Sequence, residues 1–142
     1  MTVIWVHEDA MCLDDQLRAA AGPSARPIFI WDTKEHDRRQ YSLKRRVFIY
    51  ECAIDLNIPI YSGDTYGVLK TLAGTNKIFT TETPDRFIQD IVKKLRDDLD
   101  VVSLQTPGIA NIPLDTDTNR FFRFWNIVKT SALTSSMETQ NL

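Results

Sequence analysis

His7, Glu8 and Asp9 stand together directly after the unbroken apolar run Val3-Ile4-Trp5-Val6. One imidazole and two carboxylates at such a place can form the rim of a ligand site, Glu8 or Asp9 accepting hydrogen bonds from a ring system or a ribose. They can equally be a wet turn leading into a helix. Asp32 ends a second apolar run, Pro27-Ile28-Phe29-Ile30-Trp31, in the same way. Arg38, Arg39, Lys44, Arg45 and Arg46 cluster around Ser42, a residue type that caps helices. Cap and cations together suit an anion; the plainer reading pairs them with Glu35, Asp37 and Glu51 on a solvated surface.

Patterns for bond-making chemistry are missing. No G-x-G-x-x-G follows the first strand, no phosphate loop occurs, and no G-x-S-x-G elbow is present. These absences disfavour conventional NAD, FAD or nucleoside triphosphate binding. Cys12 lies near His7 in sequence, but nothing supplies the third, orienting group of a thiol nucleophile. Two cysteines and two histidines, scattered as they are, give neither a zinc site nor a disulfide framework. No catalytic residue and no metal ligand is assigned.

The elements that must position these residues follow from hydrophobic patterning. Val3–Val6 reads as a strand buried on both faces, as in the middle of a parallel sheet. Residues 14–21 form a helix stopped at Gly22-Pro23, and residues 27–31 form the second strand. Residues 33–41 have no apolar period and read as a loop. From Ser42 a helix follows in which Leu43, Val47, Tyr50 and Ile54 mark one face, widened by Phe48 and Leu56. Residues 58–61 are a short third strand, and Asp64 caps a helix through Leu72. Residues 77–80 are the fourth strand. Thr83-Pro84 reads as a cap and first helical position, opening an amphipathic helix through Phe87, Ile88, Ile91, Val92, Leu95 and Leu99. Residues 101–104 are the fifth strand, and residues 106–118 a loop. Phe121, Phe124, Trp125 and Val128 mark a last helical stripe, with Phe122 beside it. Residues 135–142 read as a frayed tail.

Strands alternating with helices predict an α/β fold: a Rossmann-like open five-stranded parallel sheet with helices on both faces. Residues 1–105 form its core, and the loop and helix of residues 106–134 pack on the same domain. In such sheets ligands bind beyond the carboxyl ends of the strands, where His7, Glu8 and Asp9 stand. The length of 142 residues suits one domain, and 43% hydrophobic with 25% charged residues suits a globular one. A net charge of −2 argues against wrapping by nucleic acid. No run approaches the roughly 20 apolar residues that span a bilayer, and the N-terminus has no basic region of a signal peptide. A cytoplasmic location is the expectation.

The run Ile4-Trp5-Val6-His7-Glu8-Asp9-Ala10-Met11-Cys12-Leu13-Asp14-Asp15 resembles the opening of the photolyase/cryptochrome family, with Trp5, Asp9 and Asp14 or Asp15 on matching positions. Ser42-Leu43-Lys44-Arg45-Arg46-Val47-Phe48-Ile49 is similar to a helix start in that family. Ile58-Pro59-Ile60-Tyr61-Ser62-Gly63-Asp64 and Thr81-Glu82-Thr83-Pro84-Asp85-Arg86 are similar to its later segments. The resemblance covers residues 2–105. It implies an antenna-chromophore domain, whose ligand in many members is a folate or a deazaflavin or flavin-type ring. The family's FAD and DNA lesion belong to a helical domain outside these residues, so DNA repair by this chain alone is not expected. Asp9, Arg45, Arg46, Glu82 and Asp85 are the contacts the resemblance carries over. The chain departs from the family at Asp9-Ala10-Met11, where an arginine is missing.

Two readings result. In the first, a non-enzymatic module binds a small molecule or chromophore through a rim of His7, Glu8, Asp9, Asp32, Arg45, Arg46, Glu82 and Asp85, above Trp5 and Trp31. In the second, a ligand-free interaction protein works through Phe121, Phe122, Phe124 and Trp125, by homo-oligomerisation or by binding a separate protein partner.

Overall fold

The computed structural model describes residues 1–105 and 121–138, the last eight as helix backbone only. Five strands, β1 (Val3–Val6), β2 (Arg26–Trp31), β3 (Ile60–Ser62), β4 (Ile78–Thr81) and β5 (Val101–Leu104), form one sheet in the order β3-β2-β1-β4-β5. Every pairing is parallel. All four residues of β1 are buried, as a central strand with helices on each face requires. Thr80 is a polar residue within this core; it is fully buried, and its hydroxyl donates to the Trp5 carbonyl at 2.9 Å.

Helices α1 (Asp15–Ala21), α2 (Thr33–Arg38), α3 (Leu43–Asp55), α4 (Thr65–Ala73) and α5 (Arg86–Asp98) connect the strands. Strand alternation sends Val3 and Trp5 to one face, where they meet Leu69 and Ala73 of α4 and Ile88, Val92 and Leu95 of α5. Ile4, Val6 and Phe79 meet Leu17 of α1 on the other face, and Phe29 packs with Ile49 and Ala53 of α3. The result is the Rossmann-like α/β fold that the sequence predicts. Its order reverses between β1 and β4, which places a crevice at their carboxyl ends.

Several local expectations are corrected. Residues 33–38 are helical, not loop: Asp32 caps α2 by accepting from the Glu35 amide, and Glu35 forms ion pairs with Arg38 and Arg39 one turn on. Asp85, not Thr83, caps α5; its carboxylate accepts from the amides of Phe87 and Ile88. In α3 the stripe Leu43, Val47, Tyr50 and Ile54 is exposed, while Ile49 and Ala53 face the sheet. The chain divides into two units, Met1–Gln105 and Thr106–Leu142. In the second, helix α6 runs from Phe121 through Glu138, past residue 135 where fraying is predicted. The predicted loop 106–118 and residues 139–142 lie outside the described residues. Among the described residues, no helix is long and apolar enough to cross a membrane.

Candidate functional site

His7 extends β1 by one residue on the face of Trp5, and the two rings meet edge to face at 5.5 Å. It is 3% exposed, and its Nε2 lies 2.9 Å from the Thr81 carbonyl oxygen at the end of β4. A carbonyl only accepts, so Nε2 carries the proton and Nδ1 is left as an acceptor. Nδ1 is buried without a partner among the described residues. Burial lowers the His7 pKa; the Thr81 bond and the carboxylates of Asp9, Glu8 and Asp85 oppose that shift without cancelling it. The ring is therefore neutral at pH 7.

Glu8, next along the chain, enters an ion-pair cluster built largely from α2 and the turn after it. Its Oε1 accepts from the Tyr41 hydroxyl at 2.8 Å and lies 2.9 Å from Arg39 Nη1. Arg39 also reaches Glu35 at 3.0 Å and Asp85 at 3.2 Å, and donates to the Tyr41 hydroxyl at 2.7 Å. Its side chain is 3% exposed. Burial works against the Arg39 charge, but the bonds to Tyr41 and Glu35 and the charge of Glu8 outweigh it, raising its pKa. Burial likewise pushes against ionised Glu35, and the hydrogen bonds from Arg38 and Arg39 overcome it, so that carboxyl stays below its usual range. The geometry depends on Gln40, whose φ of 55° is rare outside glycine. That turn lets the Tyr41 amide bond back to the His36 carbonyl at 3.0 Å and aims the phenol at Glu8.

Asp32 plays a different part. Its Oδ2 accepts from both the amide and the hydroxyl of Thr65, at 2.8 and 2.9 Å, while Oδ1 caps α2. One carboxylate thus ties the starts of α2 and α4 together, with its lone pairs used by the protein. Across the crevice, Asp9 accepts a hydrogen bond from Thr83, joining the β1 and β4 turns. Glu82 projects beside them, exposed.

Trp5, His7 and Glu8 line one side of a small cleft open to solvent; Asp32, Glu35, Arg39 and Thr65 line the rest of its polar wall. Ile88 and Ile91 of α5 close it from below. The enclosed space is about that of one water molecule, so only a single polar edge of a larger ligand fits inside, with the remainder across the mouth. Arg45 stands outside, its guanidinium 4.3 Å from the centre of the Tyr41 ring. Arg46 is committed elsewhere, to Asp37 at 2.7 Å and the Tyr41 carbonyl at 3.1 Å.

The structure thus brings His7, Glu8, Asp32 and Asp85 together, with Asp9 and Glu82 on the adjoining turns and Arg45 at the margin. Trp5 lines the cleft; Trp31 instead packs edge-on against His36, at 4.6 Å, and Tyr50. Sequence reasoning left Arg39, Tyr41 and Thr65 off the rim. A signal was present: Asp32-x-x-Glu35 has capping-box spacing and Glu35-x-x-x-Arg39 that of a helical ion pair. On α6, Phe121, Phe122 and Trp125 are exposed and Phe124 half-buried, with Phe121 stacked on Trp125 at 6.5 Å.

Hydrogen-bond acceptors dominate the cleft, with one arginine, Arg39, paired through Nε and Nη1. Among the described residues no group of three or more His, Cys, Asp or Glu is arranged to hold a metal ion. Cys12 is exposed and Cys52 half-buried, both as free thiols. Comparison with protein-family models, curated proteins and solved structures finds no match to this chain.

Proposed function

We propose that this α/β unit is a non-enzymatic binding module for a small ring ligand rich in N–H donors, of pterin or flavin type, seated at the carboxyl ends of β1 and β2. The observation that carries the reading is His7 Nδ1, an acceptor buried in the cleft wall without a partner. A buried acceptor left unpaired costs about 1–3 kcal/mol, and a ligand N–H removes that cost. The neighbouring carboxylate of Glu8 favours the same donor-bearing edge. The resemblance to photolyase antenna domains points to the same ligand class, and the exposed Arg45 suits an anionic tail at the mouth.

Trp5 in the cleft wall is a built-in reporter. Titration with a reduced folate, riboflavin and FMN is expected to quench tryptophan fluorescence saturably for at least one of them. His7→Phe keeps a ring of similar size but removes the acceptor, and should weaken that binding at least about tenfold. Saturable binding unchanged in His7→Phe, or no binding of any of the three, would overturn the reading.

A further inference from the structure

Helix α3 carries an apolar stripe that the fold leaves uncovered. Leu43 is 77% exposed, Ile54 53% and Val47 47%, with Tyr50 and Phe48 also open to solvent. Leu43, Val47, Tyr50 and Ile54 share one narrow arc of the helix, an exposed apolar row of the kind that marks an interaction surface. The other side of the same helix already meets the sheet through Ile49 and Ala53, so the stripe is surplus to the fold of this unit.

Charges beside the stripe indicate what covers it. Lys44, Glu51 and Asp55 are seven and eleven residues apart, close to whole helical turns, and therefore line one flank of the stripe. All three are exposed, and none forms an ion pair within the described residues. The flank is positive at the amino-terminal end of α3 and negative at the carboxyl-terminal end. Such an arrangement is self-complementary under a two-fold axis that packs α3 antiparallel against itself. That operation lays the same flank of both copies side by side in reverse, so Lys44 of each meets Asp55 of the other.

We propose that α3 is a homodimer interface, two copies of this chain packing antiparallel through Leu43, Val47, Tyr50 and Ile54. Four anchoring side chains are far fewer than the roughly 20–30 residues a side of a standard stable interface. The dimer is accordingly weak and concentration-dependent. The proposal is independent of ligand binding, since the stripe lies outside the cleft wall.

Sedimentation equilibrium of the full chain, from about 1 to 500 μM to span a weak interface, tests it. A reversible monomer–dimer equilibrium is expected. Lys44→Glu should weaken dimerisation at least about tenfold by setting like charges together, and Val47→Glu should abolish it. Both positions are exposed, and an unchanged far-UV circular dichroism spectrum checks that the variants fold. The decisive variant is Lys44→Glu with Asp55→Lys, which swaps the charges and should restore the dimer. A strict monomer throughout the range, or a dimer indifferent to Val47→Glu, would overturn the proposal. Failure of the double exchange to restore what Lys44→Glu removes would overturn it too.

Discussion

The cleft at the carboxyl ends of β1 and β2 and the outer face of α3 are incomplete in opposite senses. In the cleft, Nδ1 of His7 is buried without a hydrogen-bond partner among the described residues, and beneath the cluster His36, 1% exposed, meets the Glu8 carboxylate only at 3.7 Å. On α3, the apolar side chains of Leu43, Val47 and Ile54 stand open to solvent. At His7 the deficit is local and directional, and one well-placed donor corrects it. The second is spread over about three helical turns and has no direction, so only another apolar surface removes it. A small molecule fits the former and a protein surface the latter.

The comparison breaks most severely if the cleft is not held by its ion pairs. Arg39→Met leaves Glu8, Glu35 and Asp85 without their shared cation. A loss of about 3–5 kcal/mol in denaturant unfolding is expected, the scale for removing one partner of a buried ion pair. A loss below about 1 kcal/mol would show the cluster to be surface-like. Thr65→Val keeps shape but removes one of three donors to Asp32, and should cost about 1 kcal/mol by the same measurement. Arg45→Ala touches only an exposed cation–aromatic contact, so stability should fall by no more than about 0.5 kcal/mol, while binding of FMN weakens relative to riboflavin.

The pH dependence sharpens the contrast. His7 titrates lower in the folded chain than the ordinary 6.5 because it is buried neutral. Its contribution is therefore fully present above that value and is lost as pH falls below it through the folded pKa. Glu35, held low by Arg38 and Arg39, contributes above its ordinary 4.5 and loses that contribution at still lower pH. Unfolding experiments across this acid range should show two successive declines in stability, and His7→Phe should remove the upper one.

The two central strands β1 and β2 were legible because continuous apolar runs, Val3-Ile4-Trp5-Val6 and Pro27-Ile28-Phe29-Ile30-Trp31, end in His7 and Asp32. His7, Glu8 and Asp32 were legible for the same reason. Helix α2 was not, because TKEHDR buries only His36 and is held by a cap and ion pairs, which leave no apolar period. Arg39 and Tyr41 were hidden with it: what brings them to Glu8 is the turn at Gln40, and composition does not encode that turn. For α3 the apolar period is legible in the sequence and the direction it faces is not. Two apolar arcs exist on that helix, and the smaller one, Ile49 and Ala53, fits against Phe29. Periodicity says that a face is apolar, and only packing says which face is inside.

The central claim is that the cleft holds a donor-rich ring ligand, and the most direct test is an absorption spectrum of the chain purified from its source under conditions that retain weak ligands. A near-ultraviolet or visible band beyond that of tryptophan, absent from His7→Phe purified in parallel, is the predicted result. A colourless protein whose Trp5 fluorescence is also indifferent to reduced folate and flavins would contradict it.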